Sequence, residues 1–442
     1  MLPPIAFSTK AQRTDDPPIN YLIAAAKANP QLISFAAGLV NPMTLPTEQV
    51  SQIASDLLAD PIRGREVLQY GTTIGDRLFR EAIINHLESI ENVPAASMSI
   101  TPEHVILTTG SQQALYILAD ILIDPGDIVI LESPSYFVYA GALASFGAKI
   151  MSVPMDRDGM VVEELDKLLH RLESQGQLSR VKAIYCQSYF QNPTGLTLSR
   201  DRRWRLVEIA RKFSKRHRIL VIEDAAYREL IYDGESLPSL KRFDPDNTQV
   251  ASCYTFDKPF AAGLKTGYVV LPADVARELA EQKGSHDFGS SHFTQAICHQ
   301  ALIGGQYASH LQTVRDGYRQ KRDTMLASLK AHMPDDAQLH WTHPNGGLYT
   351  WLSLPRAINT SRTGGLFDAC LNAGVIYVPG EYCFHPDESG QVPQNHMRLS
   401  FSVTPIEQIE PGVRLLARVI GDALAKQSNV RKQGGVASAA VA

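Results

Sequence analysis

The chain has 442 residues, more than one ordinary core accommodates, which predicts two domains. Hydrophobic content of 44% with 20% charged residues is that of a soluble globular protein, and a net charge of −4 does not favour a nucleic-acid partner. No apolar run reaches the roughly 18 residues of a membrane helix, and five dispersed cysteines without a Cys-x-x-Cys pair fit a reducing cytoplasm, so neither a membrane partner nor a disulfide framework is expected.

The proline-rich first 18 residues predict an irregular arm, followed by a short helix from Ile19 to Asn29. Val105-Ile106-Leu107 reads as a strand, then a glycine turn, then the helical pattern Ala114-Leu115-Tyr116-Ile117-Leu118. Further strands are predicted at Ile128–Leu131, Ala183–Tyr185 and Ile219–Ile222, and a strand-like run at Gln249–Phe256. Short apolar runs separated by helices predict a mostly parallel sheet covered on both faces. The Arg- and Lys-rich stretch from Ala308 to His332 predicts a long solvated connecting helix. Gly347–Leu352 and Met397–Phe401 read as strands of a smaller α+β domain, and the Gly, Ala and Ser-rich tail predicts disorder.

Polar groups gather where these strands end, and strand ends of a parallel sheet face the ligand crevice. In Gly110-Ser111-Gln112-Gln113, free N–H groups and the helix dipole favour an anion, with Ser111 and Gln112 as added donors; a plain helix cap at Ser111 is the competing reading. Tyr136 follows the Ile128–Leu131 strand and can stack on a ring, or serve as a core tyrosine. Asn192, in Asn192-Pro193-Thr194-Gly195, can hydrogen-bond a phenolic oxygen, or make a simple Asn-Pro turn. Asp224 can keep a pyridine nitrogen protonated, with Tyr227 three residues on as a donor, or make a strand-end turn. Lys258, after the Gln249–Phe256 run, is a candidate amine nucleophile, although most lysines are solvated surface charges. A phosphate cradle, a polar contact, a carboxylate and an amine are the parts needed to hold pyridoxal 5′-phosphate and join it to a lysine.

The ordered set Ile33-Ser34-Phe35-Ala36-Ala37-Gly38-Leu39, Leu68-Gln69-Tyr70-Gly71, Gly110–Ala114, Tyr136, Asn192–Gly195, Asp224 with Tyr227, Lys258, Pro344-Asn345-Gly346-Gly347 and Arg398-Leu399-Ser400-Phe401 resembles a known family. It is similar to the fold-type I, pyridoxal-phosphate-dependent class I/II aminotransferases, within them to the 2-aminoadipate/kynurenine aminotransferase-like subgroup. The resemblance runs from about Ser34 to Ile420. It implies an α/β fold with a large domain, mostly parallel sheet covered by helices, and a smaller α+β domain. The expected division is 1–50 for the arm and part of the small domain, 51–315 for the large cofactor-binding domain, 316–425 for the small domain and 426–442 for a disordered tail.

The resemblance also implies roles. Lys258 carries the cofactor and shuttles the proton, Asp224 pairs with the ring nitrogen, and Tyr136 stacks on the ring. Asn192 and Tyr227 contact the phenolic oxygen, while Ser111, Gln112, Thr255 and Lys265 face the phosphate. Arg398, with Asn192 and the backbone of Gly38, holds the substrate α-carboxylate, for which a bidentate guanidinium suits better than a lysine. Tyr70 reaches the phosphate of a neighbouring subunit, which implies a homodimer with shared active sites. No metal is implied.

Two departures stand out. The family has a small hydroxyl residue where this chain has Asp257, and an arginine where it has Lys265. Asp257 either pairs with Lys265 or points away. Ala37 and Val40 also make the substrate loop atypical. The first helix carries no arginine, and Tyr21 and Phe35 stand nearby, which predicts a neutral, apolar or aromatic amino acid as substrate and its 2-oxo acid as product. Oxidation, elimination or decarboxylation of an amino acid with the same cofactor is the alternative, and a non-catalytic ligand-binding homologue a further one.

Overall fold

The computed structural model describes residue 3 and residues 5–16, 18–29, 31–386 and 389–439. Its larger sheet has eight strands in the spatial order Val105–Thr108, Gly267–Val270, Val250–Thr255, Leu220–Asp224, Val181–Cys186, Ile128–Ser133, Lys149–Asp156 and Gly159–Met160. The strands run parallel except for two. Gly267–Val270 is antiparallel to both neighbours, and the edge strand Gly159–Met160 is antiparallel to Lys149–Asp156.

The central strands are buried along nearly their whole length because both faces are covered. Val129 and Leu131 pack into one apolar layer, Ile128 and Ile130 into the other, as the two-residue period of a strand requires. Helices Gly110–Leu122, Phe137–Phe146 and Ala273–His286 supply Leu115, Leu118, Leu143 and Leu279 to the first layer. Helices Val162–Ser174 and Arg200–Phe213 supply Leu165, Leu169, Leu206 and Phe213 to the second.

The smaller sheet is antiparallel, in the order His340–Trp341, Tyr349–Ser353, His396–Ser400 and Val378–Pro379. Close to it, Ile33–Ser34 pairs in parallel with Val375–Ile376, which ties the N-terminal segment to the C-terminal part of the chain. Phe35 continues that tie, donating its N–H to Ile376 and accepting from Ser400.

One expectation needs correction. The helix Gln306–His332 is no solvated connector: it buries Tyr307, Leu311, Val314, Tyr318, Met325 and Leu329, a stripe at helical spacing. Its basic residues conceal the stripe in the sequence, and some of them turn inward, as where Lys321 donates to the Ser402 carbonyl at 2.7 Å. The helix spans the boundary expected at 315/316. The last helix is Ile406–Ala439 and includes residues 426–439 of the tail. Residues 440–442 lie outside the described part. The N-terminal arm contains one helical turn, Thr9–Gln12, capped by Ser8, whose Oγ accepts from the Ala11 N–H at 3.2 Å.

Among the described residues no helix is long and apolar enough to cross a membrane, and no cluster of His, Cys, Asp or Glu could hold a metal ion. The five cysteines are buried and unpaired.

Candidate active site

The parallel strands deliver their carboxyl ends to one side of the large sheet, the side on which a ligand crevice forms. Gly38, Ser111, Gln112, Tyr136, Asn192, Asp224, Tyr227, Thr255, Lys258, Lys265 and Arg398 line one cavity there, of about 240 Å³. Tyr70 is placed elsewhere: it is 83% exposed and meets the Phe288 ring edge-on at 5.8 Å.

At one end of the cavity the strand Val105–Thr108 turns at Gly110, φ +71°, into the helix Gly110–Leu122. The N-cap is Thr109, without a side-chain cap bond, so Ser111 does not serve as the cap. The Thr109 N–H is taken by Gln113 Oε1 at 2.7 Å. A Cβ on residue 110 would lie 3.0 Å from Asp257 Oδ2 and 3.3 Å from Lys265 Nζ, so only glycine lets the helix start approach that pair. Gln112 has a buried amide oxygen without a partner.

Asp257 and Lys265 do pair: Nζ donates to Oδ2 at 3.1 Å. Lys265 adopts a left-handed backbone, φ +48°, just after the short turn Ala262–Leu264. The other Asp257 oxygen, Oδ1, is buried without a partner. Thr255 Oγ1 accepts the Asp257 N–H at 3.1 Å, which fixes the turn between the strand Val250–Thr255 and Lys258.

In the middle of the cavity Asp224 closes the strand Leu220–Asp224 and is 3% exposed. Burial pushes its carboxyl above the usual range, against hydrogen bonds from Gln187 and Tyr185 that favour the charged form. Tyr185 Oη donates to Oδ2 at 2.9 Å and Gln187 Nε2 to the same oxygen at 2.8 Å. Tyr227 Oη lies 3.2 Å from Tyr349 Oη. Burial raises the hydroxyls of Tyr136 and Tyr227 well above their ordinary value, so both remain protonated donors.

Lys258 Nζ donates to the Gly38 carbonyl at 2.9 Å, across 220 positions of chain. Arg398, from the strand His396–Ser400, is 2% exposed. Its Nη1 donates to Asn192 Oδ1 at 2.9 Å and its Nη2 to the Ala36 carbonyl at 2.8 Å, while Nε has no partner. The guanidinium lies 4.4 Å from the centre of the Tyr349 ring, a cation–π contact. A Cβ on Gly38 would collide with the Tyr349 hydroxyl, so the loop can pass this close only as glycine.

Tyr185, Gln187 and Tyr349 belong to this arrangement and escaped the sequence reading. Tyr185 and Gln187 stand two apart at the end of the strand Val181–Cys186, a spacing that puts both on one face and that held the available signal. Tyr349 offered no such signal, being one more aromatic in an apolar strand.

The residues present fit pyridoxal 5′-phosphate. A helix start with Ser111, Gln112 and Lys265 suits its phosphate, a buried carboxylate suits its ring nitrogen, and a lysine amine in the same cavity suits its aldehyde. Asp257 runs against the fit, because it brings a negative charge to the phosphate end.

The family model for aminotransferase class I and II matches residues 56–416. The chain is 33% identical over 421 residues to aromatic-amino-acid aminotransferase 1 of Thermococcus litoralis, covering 95% of each chain. It is 31% identical to the 2-aminoadipate transaminase of Thermus thermophilus, covering 95% of this chain and 98% of that one. The crystal structure of Pyrococcus horikoshii kynurenine aminotransferase superposes with a TM-score of 0.86 at 32% identity, over 95% of this chain and 97% of that one. With a fold-type I architecture, a lysine, a buried aspartate and an arginine gathered in one cavity, and these relatives, the chain belongs to the class I and II aminotransferases, pyridoxal-phosphate-dependent enzymes that exchange amino acids with 2-oxo acids.

Proposed function

We propose that this aminotransferase takes L-amino acids with neutral, apolar or aromatic side chains. The observation that carries the reading is the wall of the cavity. Leu39, Phe137, Val138 and Tyr349 supply its apolar and aromatic part, and Arg398 is the one guanidinium among the described lining residues. An acidic side chain would need a second cation. Lys258 and Lys265 already face Gly38 and Asp257. The Thermococcus litoralis relative, named for aromatic amino acids, agrees with this assignment. The test is a panel of amino acids offered with several 2-oxo acids, assayed together for oxo acid, ammonia, peroxide and carbon dioxide. Stoichiometric amino transfer from aromatic and aliphatic donors is expected. Preference for glutamate or 2-aminoadipate would overturn the side-chain assignment, and ammonia or carbon dioxide as main product would overturn transfer itself.

The residues divide the work as follows. Arg398 and Asn192 receive the substrate α-carboxylate, the unpaired Nε and the two Nη groups giving the guanidinium its planar fork. Lys258 holds and moves the proton at the substrate carbon. Asp224 keeps a proton on the ring nitrogen, and Tyr227 and Asn192 donate toward the phenolic oxygen. When bound, pyridoxal phosphate supplies the electron sink. The exposed Tyr70 and Phe288, with Met43, Ile62 and Leu68 exposed nearby in the chain, support a homodimer in which Tyr70 serves the neighbouring site. Five buried, unpaired cysteines support a cytoplasmic setting.

Arg398→Ala is expected to raise KM for amino acids far more than it lowers kcat. The lost charge-assisted pair is worth roughly 1.5–3 kcal/mol. Amines without a carboxylate are expected to be little affected, and equal damage to both substrate kinds in steady-state assays would assign Arg398 a structural role.

Lys265→Ala is expected to speed cofactor dissociation, because it leaves Asp257 facing a phosphate without a cation. Asp257→Ser in that background is expected to restore part of the affinity, and alone to tighten or preserve it. A double-mutant cycle on dissociation rates is expected to show a coupling of about tenfold, mid-range for charges in contact. Strictly additive effects would show that the pair does not act together.

A further inference from the structure

Gln187 follows the strand Val181–Cys186 and uses both ends of its amide inside the site. Nε2 donates to Asp224 Oδ2 at 2.8 Å, and Oε1 accepts the Asn192 N–H at 2.8 Å. Asn192 Oδ1 in turn accepts from Arg398 Nη1. The amide cannot be turned over, because that would set oxygen against carboxylate and N–H against N–H. The backbone of Gln187 is anchored as well: its N–H donates to Glu132 Oε1 at 3.0 Å. Gln187 and Asn192 are each 3% exposed, so water does not substitute for these bonds.

Asp224 shows what the arrangement leaves free. A carboxylate oxygen offers two acceptor sites. Those of Oδ2 are filled by Tyr185 and Gln187, whereas Oδ1 accepts the Ala226 N–H at 3.1 Å and keeps one site open. We propose that Gln187 is a positioning residue that reserves Asp224 Oδ1 for the cofactor ring nitrogen and ties that carboxylate to the Asn192–Arg398 pair that takes the substrate carboxylate. The inference rests on the reading of Asp224 as the ring-nitrogen partner. One side chain then holds the two anchors in register, and loosening it disturbs both proton placement at the ring and substrate binding. Tyr185 secures the ring anchor alone, because its hydroxyl bonds Asp224 and nothing in the Asn192 loop.

The test uses the holoenzyme loaded with cofactor labelled with 15N in the ring. Gln187→Met keeps the size of the side chain and removes both bonds. The 15N signal is expected to move toward that of a neutral pyridine, and kcat to fall about ten- to a hundredfold, the scale of one hydrogen bond to a charged group. KM for the amino acid is expected to rise several-fold in the same variant, whereas Tyr185→Phe moves the signal and kcat with KM unchanged. Should Gln187→Met not fold, Gln187→Asn, one methylene short of spanning both partners, is expected to show the same paired losses in smaller degree. Asp224→Asn separates the two readings. If it leaves the ring signal in place, Asp224 is not the ring partner. If it moves the signal while the Gln187 variants lower only the melting temperature, Gln187 is structural and the inference is overturned.

Discussion

Lys258→Ala is expected to lower transamination by about 10⁴-fold or more, the upper range for loss of a positioned proton-transfer group, because on the proposed reading one side chain supplies both the amine that holds the cofactor and the base that moves the proton. The lysine reaches into the cavity from the turn Asp257–Ala261, and its amine rests on the Gly38 carbonyl. That carbonyl belongs to the loop that shapes the substrate end. Removing the lysine therefore leaves the loop without a donor as well as the site without its amine. Alanine should not unfold the protein, because Lys258 is only half-buried and, among the described residues, its bond to Gly38 is its one hydrogen bond in the site. Two measurements check this. Steady-state turnover of the variant should fall to the detection limit with the melting temperature nearly kept. Borohydride treatment of the wild-type holoenzyme should fix the cofactor to a peptide containing Lys258. Label recovered on Lys265, the other lysine of the cavity, would sink the assignment.

Asp224→Ala is expected to cost roughly 10²–10³-fold in kcat, the scale seen when a preorganised electrostatic group acts mainly in the transition state. The carboxylate is buried, and two donors on Oδ2 favour its charged form against the larger cost of burial. A negative charge held this way raises the affinity of the ring nitrogen for its proton, and a protonated ring is the stronger electron sink. Alanine also leaves the Tyr185 hydroxyl and the Gln187 amide without their acceptor, so some loss of stability accompanies the loss of rate. Asp224→Asn keeps the shape and part of the bonding, and should recover stability without recovering turnover. Near-normal kcat in a well-folded Asp224→Ala protein would refute the role.

The sequence was most informative where chemistry and local pattern coincide. Short apolar runs at Val105–Leu107, Ile128–Leu131, Ala183–Tyr185 and Ile219–Ile222 are all strands of the large sheet. Each is followed within a few residues by a polar side chain that lines the cavity, namely Ser111, Tyr136, Gln187 and Asp224. That much is local, because a buried strand reads as an unbroken apolar run and its end is marked by the first polar or turn residue. Tertiary structure decided the rest. Strand direction is not encoded in the two-residue period, so nothing local distinguishes Gly267–Val270, which runs against its neighbours, from the parallel strands. The burial of helix Gln306–His332 depends on which elements it meets, and its arginines and lysines look alike whether they face water or a carbonyl. The side chain of Asp257 had two open directions, and only the fold of the following turn brings Lys265 to it. Gln187 is the clearest case. Its partners Asp224 and Asn192 lie 37 and 5 positions away, and Arg398 a further 206 beyond Asn192. A side chain that joins three elements is determined by their packing, and packing is a property of the whole chain.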